Sequence, residues 1–130
     1  MLKISLKSKG IGAERELLHM FWANKWACIR VAGSGSMIYP SPDLLAGNNL
    51  RKIAIECKIT KSEYQYFTKK EIEELIEFSR LFGAESFVSV KFQGLGWKFF
   101  TLEDLKETDK KYVCSRHLAE IRGLDFNDII

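Results

Sequence analysis

The chain has 130 residues, 46% of them apolar, which suffices for the core of one domain and leaves little room for a second. Twenty Lys and Arg against seventeen Asp and Glu leave a net charge of +3, too small a bias to name a nucleic-acid partner by itself. No apolar run reaches the roughly 18 residues that cross a bilayer, and the basic stretch MLKISLKSKG has no apolar segment behind it, so a soluble cytoplasmic protein is expected.

From Gly12 to about Trp26 the apolar residues recur at helical spacing, with Ala13, Leu17, Leu18, Met20, Phe21 and Trp22 on one arc. Glu14 falls inside that arc. A lone carboxylate there is costly or protonated unless a cation or metal ion stands beside it. A buried ion pair, or an acid escaping at the helix's first turn, are the alternatives. Cys28–Ala32 and Leu44–Ala46 read as short strands, separated by a mobile loop of Gly33-Ser34-Gly35-Ser36, Pro40 and Pro42. That loop lacks the Gly-Lys-Ser/Thr of a nucleotide phosphate loop, so NTP hydrolysis is not expected.

Ile53, Ile55, Cys57 and Ile59 alternate on one side of a strand, and Glu56 and Lys58 project together from the other. Taken alone, such a Glu-x-Lys is a solvated sheet face. Asp43 changes this. It stands at the mouth of the preceding strand, and a turn around Gly47-Asn48-Asn49 lets a hairpin carry it beside Glu56. Two adjacent carboxylates stay ionised only around a cation, and oxygen-only donors suit Mg²⁺ or Mn²⁺. A plain Pro-Asp turn is the other reading of Asp43.

Thr68 to Phe82 is the clearest helix, opened by a Thr68/Glu71 capping box and closed by Gly83, with Ile72, Leu75, Ile76 and Phe82 as its buried stripe. Phe87–Phe92 and Trp97–Thr101 form a strand pair, and a short helical tail follows. Helix, three strands, helix and two strands predict an α/β layer fold with a mixed sheet. Cys28, Cys57 and Cys114 are odd in number and widely spaced, which suggests free thiols in a reducing compartment, and His19 and His117 have no metal-ligand spacing. Basic residues gather before Pro42 and again from Arg51 to Lys70, whereas acids collect on the helix from Glu71 to Glu77, so one basic face is expected.

Pro42-Asp43 and Glu56-Cys57-Lys58, with Glu14 on the preceding helix, resemble the PD-(D/E)xK nuclease superfamily. Further stretches look like the archaeal Holliday junction resolvases: Lys9-Gly10, Ala13-Glu14-Arg15-Glu16-Leu17, Arg30-Val31-Ala32-Gly33-Ser34 and Pro42-Asp43-Leu44-Leu45-Ala46-Gly47. Ile55-Glu56-Cys57-Lys58, Thr60-Lys61, Leu75-Ile76-Glu77-Phe78-Ser79-Arg80 and Val90-Lys91-Phe92 extend the likeness, which covers about residues 9 to 101.

The resemblance implies a single nuclease domain over 1–130 with a restriction-endonuclease-like fold, a central mixed sheet flanked by helices. It implies Glu14, Asp43 and Glu56 as metal-binding carboxylates and Lys58 as the catalytic lysine, acting as base or as electrostatic partner. The Cys57 carbonyl is a possible further metal ligand. One or two Mg²⁺ ions, with Mn²⁺ as substitute, would serve phosphodiester hydrolysis. Arg15 and Arg30 fall on basic positions tied to junction binding or catalysis, and Ser34 or Ser36 on a loop serine. Lys9, Arg51, Lys61, Lys69 and Lys70 complete the expected phosphate contacts.

The implied partner is a four-way DNA junction, nicked symmetrically by a two-fold homodimer during recombination and repair. Phe78, Leu81 or the Trp97–Phe100 strand are candidates for the dimer surface. Another nuclease of the superfamily, of repair or restriction type, and a non-catalytic junction-binding protein are the alternatives.

Overall fold

The computed structural model describes residues 6–33 and 38–130, with Leu6 and Lys7 by backbone alone. In chain order the elements are α1 (Leu6–Ala23), β1 (Ala27–Arg30), β2 (Leu44–Gly47), β3 (Lys52–Thr60), β4 (Tyr64–Thr68) and α2 (Lys69–Phe82). There follow β5 (Glu85–Phe92), β6 (Gly96–Phe100), a 3₁₀ turn at Leu102–Asp104, β7 (Lys106–Glu107), β8 (Lys111–Ser115), α3 (Arg116–Arg122) and α4 (Phe126–Ile129). A five-stranded sheet runs in the order β1-β2-β3-β5-β6, and a three-stranded sheet in the order β4-β8-β7. Only β3 and β5 pair in parallel within the larger sheet, so it is mixed, as the order of elements predicts.

β3 is the axis of the molecule. Ile53, Ala54 and Ile55 are all buried, because both faces of this central strand are covered. Ile53 and Ile55 pack with Leu17 and Phe21 of α1, whereas Ala54 packs with Ile72 and Leu75 of α2 and with Phe67 of β4. Five phenylalanines, Phe21, Phe67, Phe92, Phe99 and Phe100, are fully buried, and each contributes roughly 1.5–3 kcal/mol by leaving water.

α1 begins before the expected Gly12 and stops at Ala23 instead of Trp26. Asn24 donates its side-chain amide to Met20 O at 2.8 Å, and Lys25 takes the left-handed conformation at φ 65°, which turns the chain out of the helix. Trp22, placed in the apolar arc by its spacing, is 55% exposed and donates Nε1 to Cys28 O. α2 has the predicted capping box at Thr68 and Glu71 and ends on Gly83 at φ 82°. Its buried residues are Ile72, Leu75 and Ser79; Ile76 and Phe82 each stand 45% exposed, which corrects the expected stripe.

The region after Leu102 is more than a short helical tail. β8 pairs with β4, a strand the sequence reading missed, since Phe67 is its one fully buried residue. Phe126 meets Phe21 edge-on with ring centroids 4.9 Å apart, and Phe99 and Leu124 exchange backbone hydrogen bonds of 2.9 Å, so the last residues close over the α1 face. No described helix is long and apolar enough to cross a membrane.

Candidate active site

Asp43 stands where β2 leaves the sheet. Its carbonyl accepts the Val31 N–H and its own N–H donates to Ile55 O at 3.0 Å, so the backbone is pinned on both sides. Beyond it Pro42 turns the chain away, and the N–H of Cys57 on β3 has no further strand to meet. The Asp43 side chain takes that strand's place: Oδ2 accepts the Cys57 N–H at 2.8 Å. Successive N–H and C=O groups of one strand residue share an edge, so the Cys57 carbonyl leaves β3 on the side where Asp43 sits.

Glu56 points from β3 into the α2 face, and its carboxyl is hydrogen-bonded to Asp43. Burial first, then that bond and the negative charges of Asp43 and Glu71, push the Glu56 carboxyl up to about 10, with Lys58 pulling the other way. Glu14 arrives from α1, on the other face, and lies within electrostatic reach of Asp43. Burial and the Asp43 charge raise it to about 7, against the pull of Arg30, whose Nη1 is 3.7 Å from Glu14 Oε1. Helix spacing was right to mark Glu14 as an acid held among apolar residues, and the ion pair with Arg30 is part of how it is tolerated there.

Asp43 thus links the other two acids, hydrogen-bonded to Glu56 and acting by its charge on Glu14. Among the described residues no three His, Cys, Asp or Glu groups already surround one point. The donor chemistry nevertheless fits a hard divalent cation. The donors are oxygens, and burial first, then neighbouring negative charge, raises two of the acids, a cost that a cation would offset. Burial raises the Cys57 thiol well above the ordinary range, and its sulfur accepts from Ser89 Oγ.

Lys58 shares the Glu56 face but pairs with Glu71: Nζ lies 2.7 Å from Glu71 Oε2. Neither Glu71 nor Lys91 was singled out as a site residue by sequence reading. A capping box explains Glu71 completely from its local spacing, which hides the long-range partner. Lys91 extends on the α1 face, where Glu16 accepts from it at 2.9 Å and from Trp97 Nε1 at 2.9 Å. That lysine's contact, with help from Trp97, holds the Glu16 carboxyl below its ordinary range. A lone lysine between Val90 and Phe92 on a buried strand is the signal that could have marked it.

Lys9, Lys61 and Lys91 border a groove of about 800 Å³ floored by Ala13, Ile59 and Phe92, at the end of β3 beyond Lys58. Arg15 is exposed on α1 and Arg30 ends β1 beside Glu14. Arg51 is not brought to this cluster. It precedes β3 at the strand's opposite end, clamped by two hydrogen bonds to Glu85 and stacked over Trp26. Lys69 pairs with Glu107 and Lys70 with Glu74. Ser34 and Ser36 lie outside the described residues. Cys28, Cys57 and Cys114 are free thiols.

Residues 5–130 match a family model described as archaeal Holliday junction resolvase (Hjc). The chain is 39% identical over 130 residues to the crossover junction endodeoxyribonuclease Hjc of Archaeoglobus fulgidus, covering 95% of this chain and 96% of that one. It is 34% identical over 122 residues to the enzyme of the same name from Methanocaldococcus jannaschii, covering 94% and 86%. The solved structure of the Archaeoglobus fulgidus protein, a Holliday junction resolvase, superposes with a TM-score of 0.85 at 37% identity, covering 94% of this chain and 95% of that one.

Proposed function

The chain belongs to the archaeal Holliday junction resolvase family, and from that membership we propose that Glu14, Asp43, Glu56 and Lys58 are the centre with which it cuts four-way DNA junctions. It is a crossover junction endodeoxyribonuclease with the restriction-endonuclease-like fold of that family, and its class of enzyme is metal-dependent. The observation that carries the assignment of residues is the hydrogen-bonded pair of half-buried acids, Asp43 and Glu56, with Glu14 in electrostatic reach of Asp43 and an amine two residues along β3.

Glu14, Asp43, Glu56 and the Cys57 carbonyl would hold the metal, for which all-oxygen donors favour Mg²⁺, with Mn²⁺ as a substitute. When bound, such an ion offsets phosphate charge and acidifies an attacking water. Asp43 is set by its bond to Cys57 N–H, and Arg30 pairs with Glu14 at 3.7 Å. Lys58 sits in an ion pair, the state in which it offers positive charge to a phosphate, so the geometry favours its electrostatic role over that of a base. Lys9, Lys61 and Lys91 border one groove, and these three with Arg15 and Arg30 would contact the DNA backbone.

Symmetric nicking needs two copies of the site, and a two-fold homodimer supplies them. The Trp97–Phe100 strand offers little apolar side-chain surface for an interface, because Trp97, Phe99 and Phe100 are buried in the chain's own core. The exposed apolar residues Ile76, Leu81 and Phe82 of α2 support the α2 end instead, and Phe82 and Ile29 border one shallow hollow there. The 130 residues act as one nuclease domain, in the cytoplasm with the DNA they serve. A labelled four-way junction incubated with and without Mg²⁺ tests the reading. Paired nicks on the junction that require the ion support it, and equal cutting of linear duplex overturns it.

A further inference from the structure

Lys58 is held by a device built from three elements. Its Nζ lies 2.7 Å from Glu71 Oε2, while Glu71 Oε1 accepts the Thr68 N–H at 2.9 Å, and Thr68 Oγ1 accepts the Glu71 N–H at 3.0 Å. The ammonium also lies 5.8 Å from the centroid of the Phe67 ring. A glutamate at the third position of a helix commonly completes a capping box with one oxygen and leaves the other to water. Here the second oxygen faces inward. The Glu71 and Lys58 side chains are 27% and 30% exposed, so the pair is partly sheltered from the solvent that weakens surface ion pairs.

The consequence is mechanical as much as electrostatic. Lysine carries its charge on a long flexible stem, and a catalytic amine must already lie where the phosphate arrives. β3 fixes the direction of the stem, Phe67 at the end of β4 flanks it, and the first turn of α2 anchors its tip through Glu71. Because Glu71 is itself tied to a backbone N–H, its carboxylate cannot follow Lys58 about.

We propose that Glu71 is a positioning residue for Lys58, holding the amine beside the acids before DNA binds. This rests on the reading of Lys58 as the catalytic amine. Glu71 would act on the reaction through Lys58, with which it is paired.

The test is Glu71→Gln, since glutamine preserves the capping box and removes the anion that Lys58 needs. With the full-length protein, single-turnover cleavage of a bound four-way junction in Mg²⁺ should slow by about tenfold, less than the roughly 100-fold that a displaced catalytic group can cost. Junction affinity and melting temperature should hold. Ile72→Val, which thins the packing of α2 without touching the pair, should lower the melting temperature and leave the cleavage rate unchanged. Glu71→Gln cleaving at the wild-type rate or faster overturns the proposal, as does a tenfold loss of affinity in its place. Equal slowing by Ile72→Val also overturns it, because helix integrity would then be the cause. Lys58→Met separates the two readings: if it cleaves normally, the assignment of Lys58 has failed, and if it is inactive while Glu71→Gln is unaffected, only the role of Glu71 has failed.

Discussion

The carboxylate of Asp43 accepts the backbone N–H of Cys57 at 2.8 Å, so a candidate metal ligand is at the same time a piece of the sheet's edge. This double duty dictates how the site should be probed. Asp43→Asn keeps an oxygen acceptor for the Cys57 N–H while it loses the charge and turns its other oxygen into an amide donor, so its melting temperature should fall less than that of Asp43→Ala. Asp43→Ala orphans that N–H and should cost about 1–3 kcal/mol of stability. Cleavage in Mg²⁺ should fall by more than about 100-fold in Asp43→Asn, beyond the usual cost of losing an outer partner of a metal site. Glu56→Gln should behave alike, with junction binding retained in both. Mutants that still cut would remove these acids from the site.

Much of this was legible in the chain itself, wherever the cause is local. The alternation of Ile53, Ile55, Cys57 and Ile59 marks β3, and Thr68, Glu71 and Gly83 mark both ends of α2. Glu14 stood out because an acid broke an apolar arc, and burial does raise it. What stayed hidden depends on distant partners. β4 becomes a strand by pairing with β8, almost fifty residues further on, and only Phe67 among its five residues shows a buried pattern. Periodicity placed Ile76 and Phe82 in the core because it cannot tell a face covered within the chain from one left open. The pairing of Lys58 with Glu71 is invisible for a related reason: the cap accounts for Glu71 fully.

The raised acids make a metal-free protein less stable as pH rises. Unfolded glutamate titrates near 4.3, whereas folded Glu56 holds its proton to about 10 and Glu14 to about 7. Between those limits the folded chain binds protons that the unfolded chain has released, so each pH unit removes up to about 1.4 kcal/mol per group. Below roughly pH 4 both states are protonated and the effect vanishes. In a chelator the melting temperature should therefore fall between about pH 5 and 8, and Glu56→Gln should flatten the fall. Added Mg²⁺ should raise the melting temperature most at the alkaline end. A wild-type chain that gains stability with pH, or a Glu56→Gln variant with the same slope, would contradict the buried-acid account.

Leu81 stands 70% exposed next to Phe82 and one turn from Phe78, whose ring stacks on Phe82 at 5.2 Å between centroids. A charge there should cost the chain's own core little. If this end of α2 joins two copies, Leu81→Glu should sediment as a monomer at concentrations where the wild type is a dimer. Its nicks on the two strands of a junction should then lose their pairing. A wild type that sediments as a monomer, or a Leu81→Glu variant that remains dimeric and nicks in pairs, counts against this surface.

Phosphate contacts leave a signature in salt, since each neutralised phosphate steepens the fall of log affinity with log salt by about 0.9 on duplex DNA. Lys61 is exposed beside the groove at the end of β3, with Lys9 and Lys91 facing it across the same space. Lys61→Gln should weaken junction binding and reduce the salt slope by about one. Arg51→Gln should leave the slope unchanged, because Arg51, paired with Glu85, stands at the far end of the strand from the groove. The comparison separates a directed DNA path from general positive charge, as both substitutions remove one unit of it. Equal effects from the two would show that the groove has no special place in binding, and a larger effect from Arg51 would move the path to the other end of β3.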